Sequence, residues 1–384
     1  MNCHAALLLV RLALLGCLCL WIGAGRVSAQ TGDTPGPTSG RIIWIEPKEP
    51  KGTLKIRQGK RIAPVNAAEG MLIRRGYLLI LDPAARATVI CGDGKTRNLA
   101  PGLQGCPCRQ PCTPEVCGLN YDGSTLGSTR GPDTDTGLFP VVIAPRKTSM
   151  NNLRPTIRWT PIVGANEKTT YTVTLYGDRM NVIWTKDVVS ETRLTYPDTE
   201  PSLAPGQTYK VVVTGNGQSS QQDHSPWLGF IMLTAEQTRR LADEVSRRKQ
   251  MRLPEAQTRF LIANLYAARE LYAEAIEQLE DLYATMKEPA VVRMLGDLYA
   301  VTGLNREAEK RYIEALRLTS AGDLEGLGLT RKSLAHVYES LGLIDRAIAR
   351  LAEARKAFQQ LRDWAMVKIL LIEERRLKKP RGRL

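Results

Sequence analysis

The period of hydrophobic and polar positions changes along this chain, and the changes divide it into modules. From Arg41 to Cys117 the pattern is that of short strands. Ile42–Ile45 form an apolar run, Leu54 and Ile56 alternate with Lys55 and Arg57, and Tyr77–Leu81 and Ala87–Cys91 follow. Turn signals separate them at Gln58-Gly59, Arg75-Gly76, Asp82-Pro83 and Gly92-Asp93-Gly94. A second strand-like unit is expected over 138–233, around Trp159, Tyr171–Leu175, Val182–Trp184, Leu194–Tyr196 and Tyr209–Val213, with a turn at Pro205-Gly206. From Thr234 the period becomes helical, and Thr234 with Gln237 spells a capping box for a helix running to about Gln250. Aperiodic Gly/Pro-rich stretches at 30–40 and 118–137 read as a flexible leader and a linker. The expected fold class is multidomain β plus α.

The helical part repeats. Ala263-x-x-Tyr266 with Ala275 is echoed by Gly296-x-x-Tyr299 with Gly303, Ala308, Tyr312 and Ala315, and by Ala335-x-x-Tyr338 with Gly342, Ala347, Leu351 and Ala354. The spacings are 33 and 39 residues, the second lengthened by a Gly-rich segment, Ser320–Gly328, read as a loop. Small residues let paired helices approach closely, and aromatics fill the gap on the next pair. Pro289 suits a first helical turn, and Asp363–Lys379 reads as a closing helix. This order of small, aromatic, Gly, Ala, aromatic and Ala resembles the tetratricopeptide (TPR) repeat, which implies an all-α solenoid over 234–379.

The two β-units also resemble known modules. Gly52-Thr-Leu-Lys-Ile56, Gly70-Met-Leu-Ile-Arg-Arg-Gly76 and Ala87-Thr-Val-Ile-Cys-Gly-Asp-Gly94 are similar to the extracytoplasmic FecR-type domain, which implies a small β-domain over 41–117. The cysteine loop after it departs from that family's pattern, and no cytoplasmic half of a FecR regulator is matched. Pro155–Pro161, Tyr171–Leu175 and Leu203-x-Pro-Gly-x-x-Tyr209-x-Val-x-Val213 resemble a fibronectin type III (Ig-like) β-sandwich over 138–233. That resemblance makes Trp159 and Tyr209 core residues.

The first 29 residues read as an export signal: an apolar run from Ala5 to Gly25 interrupted by Arg11, then Val27-Ser28-Ala29 before a cleavage point. An uncleaved anchor and acylation of Cys17 in Leu14-Leu15-Gly16-Cys17 are the alternatives. Either way the chain is expected to be exported, periplasmic or extracellular, where cysteines pair. Five remain beyond the signal: Cys91, Cys106, Cys108, Cys112 and Cys117. Their C-x-C-x3-C-x4-C spacing fits neither a zinc ribbon nor a ferredoxin, so disulfides are expected and no metal. Cys91, at a strand end, should pair with the loop that holds Cys106, and one thiol should be left over.

Composition then narrows the function. Of 384 residues 43% are hydrophobic and 24% charged, enough for packed cores. Three histidines leave little material for His chemistry. His224 sits in a polar loop and His336 in the third repeat, and no catalytic motif is present, so the expectation is no enzyme and no cofactor. A Cys-based redox enzyme would need a low-pKa thiol. The net charge is +14, and the steepest basic stretch runs from Arg375 through the tail at 380–384. In an exported protein this is either a solvated basic tail or a contact for anionic wall polymer or lipid head groups, and nucleic acid is not expected.

The leading expectation is therefore a non-enzymatic scaffold that binds a protein or peptide partner through the TPR groove. A FecR-like envelope signalling component, or a binder of anionic polymer, is the alternative. The TPR resemblance implies that the first helix of each pair lines the groove, through Phe260, Asn264, Arg293, Asp297, Lys332, His336 and Glu339. Arg293 and Lys332, with Asn264, would grip a carboxylate by charge-assisted hydrogen bonds.

Overall fold

The structure is a computed structural model that describes residues 35–46, 54–58, 62–119, 137–223, 225 and 228–379. The export signal, Cys17, His224, most of the linker and the tail at 380–384 lie outside the described residues.

Eight strands form the first β-unit: β1 (Thr38–Glu46), β2 (Leu54–Arg57), β3 (Val65–Asn66), β4 (Leu72–Arg74), β5 (Leu78–Leu81), β6 (Arg86–Cys91), β7 (Thr96–Asn98) and β8 (Gly102–Gly105). They pair antiparallel into two four-stranded sheets, ordered β4-β1-β6-β7 and β3-β2-β5-β8. Inward residues of both sheets, among them Ile42, Ile56, Tyr77, Leu79 and Val89, share one apolar core. Strand β1 starts within the segment expected to be a flexible leader. Ser39 and Gly40 are buried, and a side chain on Gly40 would run into Ile90 O and Cys108 Sγ, both 2.7 Å from its Cβ position. Sulfur pairs at bonding distance join Cys91 to Cys108 and Cys112 to Cys117, leaving the half-buried Cys106 as the remaining thiol among the described residues. Burial raises that thiol above the ordinary cysteine range, the opposite of an activated nucleophile. The second pair ties Cys112 to the last residue of a single helical turn, α1 (Pro114–Cys117).

Nine strands form the second unit: β9 (Val142–Ala144), β10 (Thr148–Met150), β11 (Thr156–Trp159), β12 (Thr170–Tyr176), β13 (Val182–Val189), β14 (Arg193–Thr195), β15 (Thr208–Gly215), β16 (Gln218–Ser219) and β17 (Phe230–Met232). One sheet runs β10-β17-β15-β12-β13 with β16 beside β15, and the other runs β14-β11-β9. All pairings are antiparallel except β10 with β17. Trp159 and Tyr209 are buried in the shared core. Trp159 meets Tyr171 edge-on at 5.7 Å, and Tyr209 stacks on Phe230 at 5.6 Å.

A run of helices follows: α2 (Ala235–Lys249), α3 (Glu255–Ala268), α4 (Tyr272–Thr285), α5 (Pro289–Val301), α6 (Asn305–Leu318), α7 (Leu324–Ser340), α8 (Ile344–Gln360) and α9 (Trp364–Lys378). Thr234 and Gln237 cap α2 reciprocally, and Pro289 opens α5. The small residues sit where helices touch. Gly296 packs flat on Tyr312, whose ring lies 2.7 Å from the place a Cβ would take, and Ala263 and Ala335 are likewise buried. Successive helix pairs turn through one left-handed residue: Glu270 (φ 61°), Gly303 (φ 83°), Gly342 (φ 75°) and Arg362 (φ 58°). Two of these turns use the residue that adopts the conformation without strain, and two do not. Glu270→Gly should therefore stabilise the protein by about 0.5–1 kcal/mol, read as a rise in the denaturation midpoint, because the exposed Glu270 side chain has no packing to lose.

One expectation about this region is corrected. Only Ser320–Asp323 forms a turn; Leu324–Gly328 is the start of α7. Asp323 accepts from Gly326 N at 3.0 Å as the N-cap. Gly328 is small because the ring of Phe358 lies 2.7 Å from its Cβ position. Of the six extra residues of the third repeat, four thus build an additional helical turn and two lengthen the loop before it, and side chains of this segment reach the first β-unit.

Candidate functional site

The first helices of the three pairs, α3, α5 and α7, bring the sequence-predicted groove residues to one face of the array. Phe260, Asn264, Arg293, Asp297 and His336 are buried there, and Lys332 and Glu339 are half-buried. What buries several of them is the first β-unit of the same chain.

Its deepest contact is Arg41. The guanidinium of this β1 residue lies over the Phe260 ring at 5.0 Å and donates through Nη2 to the carbonyl of Cys117. Burial, then the nearby Arg293, pulls Arg41 down to about 9, and Asp297 opposes the fall. Asn264 donates to Phe260 O at 2.7 Å and sits against Gly118, where a Cβ would lie 2.8 Å from its Oδ1. Arg293 pairs with Asp297 at 3.1 Å, and Tyr312 donates to the same carboxylate at 2.7 Å. Burial raises Asp297 above the ordinary carboxylate value in spite of Arg293. The cation expected to grip a ligand is thus already engaged within its own helix. At the other end of the face, Glu339 accepts both Nη groups of Arg376 at 2.6 Å, and His336 lies 3.5 Å from Glu373.

Around these residues runs a set of polar contacts that sequence reasoning missed. Arg74, at the end of β4, reaches Glu325 and Asp363 at 2.6 Å each, and all three are buried. Tyr77 OH donates to the second Glu325 oxygen at 2.7 Å. Burial opposes the charge on Arg74, yet Glu325, Tyr77 and Asp363 outweigh it and hold the guanidinium above its ordinary value. Burial and then Glu325 push the Tyr77 phenol up. Gln58 donates to Asp323 at 2.9 Å and accepts from Leu324 N at 3.1 Å. Glu69 accepts from Gln257 at 2.7 Å and from Ile45 N at 3.2 Å, which ties α3 to β1. Apolar contact completes the interface: Ile43, Leu72, Ile90, Val116 and Cys117 pack with Leu261 of α3. A small cleft remains beside it, between Gly70–Leu72 and the starts of α5 and α7. The only sequence signal for this network was the longer spacing of the third repeat, which carries Asp323 and Glu325.

The second β-unit meets the α3–α4 and α5–α6 turns and α4 instead. Arg146 donates to Thr302 O at 2.7 Å and pairs with Asp223, and Ser149 N donates to Glu270 O at 2.9 Å. Arg158 pairs with Glu280 at 2.7 Å along a cleft that Glu274 also lines. Glu274 accepts from Asn151 N at 2.7 Å, while its other oxygen is buried without a partner. Burial raises this carboxyl to about 6 from 4.5. A carboxyl raised in the fold opposes folding once ionised, so its penalty is complete above pH 6 and gone below pH 4.5. Glu274→Gln should accordingly raise the melting temperature at pH 8, with the gain disappearing by pH 4.5 in a pH series of thermal melts.

Among the described residues no group of three or more His, Cys, Asp or Glu side chains is placed to hold a metal, and no helix is long and apolar enough to cross a membrane. No known protein-family model matches the chain, and comparison with curated proteins gives no match.

Proposed function

We propose that this protein is an exported, non-enzymatic interaction scaffold in which a TPR-type solenoid binds protein on the face of its first helices, with the chain's own FecR-like β-domain as the resident ligand. The observation that carries this reading is the buried Arg74–Glu325–Asp363 bridge, made 251 and 289 residues apart in sequence. Supporting the TPR assignment are the helix pairs, the small residues at their crossings and the recurrent left-handed turn residue. The two-sheet core around Trp159 supports the fibronectin-like assignment of the middle unit, and the two cysteine pairs support an oxidising destination.

In this scaffold the groove holds the β-domain in a fixed pose. An envelope partner then meets a rigid three-module surface, or competes with the β-domain for α3, α5 and α7. Residues 31–136 and 137–384, co-expressed as separate chains, should copurify as a stoichiometric complex, and Arg74→Glu in the first piece should abolish it. Recovery of the two pieces apart, with both folded, would remove the reading.

A further inference from the structure

The last helix presents an unpartnered face whose chemistry selects its partner. At 100° per residue the exposed positions of α9, from Lys378 at one edge to Ile369 at the other, fall within one half of its circumference, roughly 180°. Trp364, Ile369 and Ile372 on that arc are 58%, 45% and 56% exposed, and the exposed cations Lys368, Arg375 and Lys379 lie among and beyond them. No carboxylate of α9 shares the arc, although Arg376 on it is held at 2.6 Å by Glu339 of α7. Glu373 and Glu374 turn inward, to His336 and to Arg355 at 2.7 Å. Val367, Leu370 and Leu377 fill the opposite side and hold the helix on the array, so the outer face is displayed on a rigid support.

We infer that the outer face of α9 docks on the surface of an anionic lipid bilayer. Three large apolar side chains, one of them a tryptophan, suit the headgroup–acyl boundary, while the lysine and arginine heads reach the anionic lipid phosphates. A second copy docked on the same face would set Lys368, Arg375 and Lys379 against their own equivalents. A soluble polyanion would satisfy the cations and leave the apolar residues in water. The pairing of the two residue types in one arc therefore favours a bilayer over either. This inference does not depend on how the groove is filled.

The test uses residues 31–384, which form one unit in the structure, in sedimentation with vesicles of phosphatidylcholine alone or mixed with phosphatidylglycerol. The parent chain should bind the phosphatidylglycerol vesicles, lose binding in high salt and ignore pure phosphatidylcholine. The triple variant Trp364→Ser/Ile369→Ser/Ile372→Ser should weaken vesicle binding about tenfold or more. Lys368→Gln/Arg375→Gln/Lys379→Gln should do the same, each cation contributing roughly fivefold. Unchanged thermal melts would show that both variants are folded, as substitution at exposed positions requires. Absence of parent binding overturns the inference. So does full binding by the apolar triple variant, which would assign the attraction to charge alone. Tight binding to polyglutamate, lost equally in both variants, would identify an acidic protein partner instead.

Discussion

Arg74→Ala should destabilise the protein by about 3–5 kcal/mol, the usual cost of removing one partner from a buried ion pair. The substitution leaves Glu325 and Asp363 buried with no countercharge on the β-unit, and it strands the phenol of Tyr77 beside an unbalanced carboxylate. Those charges must then hydrate, which they can do only by lifting the first β-unit off α7 and α9. Urea denaturation should show both a lower midpoint and a separate early loss of β-unit protection in hydrogen exchange. A companion variant, Arg74→Met with Glu325→Gln and Asp363→Asn, should recover most of the loss, because it removes all three charges together. An Arg74→Ala protein within about 0.5 kcal/mol of the parent would mean that the bridge is solvated.

Removing the Cys91–Cys108 disulfide should have the next largest effect. The bond closes a loop of 17 residues, for which chain entropy gives a stabilisation of about 3 kcal/mol. It also fixes the loop that leads to α1, whose Cys117 carbonyl receives Arg41 and whose Val116 packs near Leu261. Cys91→Ser/Cys108→Ser should therefore lower stability by about that amount and loosen the α3 contact as well. Cys106→Ser, at a position without a disulfide, should stay within about 0.5 kcal/mol of the parent. Mass spectrometry of non-reduced peptides should recover Cys91 joined to Cys108; Cys91 joined to Cys106, or free, would refute the pairing.

Much of the architecture is legible in the sequence because it rests on local rules. Alternation marks β2, β12 and β15, where one side of each faces a core, and continuous apolar runs mark β1, β5 and β6, with β1 and β6 buried on both sides. Helix spacing and the recurrence of Ala263, Gly296 and Ala335 mark the array, since those positions have no room for larger side chains. Short edge pieces such as β3, β7 and β16 carry too few residues to show a period. The site was legible in part. The residues expected to line a groove lie on α3, α5 and α7, but a single sequence does not reveal that Arg41, Glu69 and Arg74 of a distant β-unit pack against those helices and α9. Charged residues inside strands look like solvent-facing positions unless the second surface is known. Glycines at 322, 326 and 328 suggest a loop by composition; Gly322 does lie in the turn, against Val65, whereas Gly326 and Gly328 lie in α7 and permit contact with the capping Asp323 and with Phe358.

The central claim, that the β-unit sits on the array, is open to a direct geometric measurement. A Cβ on Gly322 would lie 3.2 Å from the Cβ of Val65, close to the separation that disulfides require. In a Cys106→Ser background, Val65→Cys/Gly322→Cys should oxidise in air to an intramolecular disulfide, found by peptide mapping as a 65–322 crosslink in monomeric protein. Two thiols that alkylate freely in the folded protein, or crosslinks found only between chains, would contradict the account.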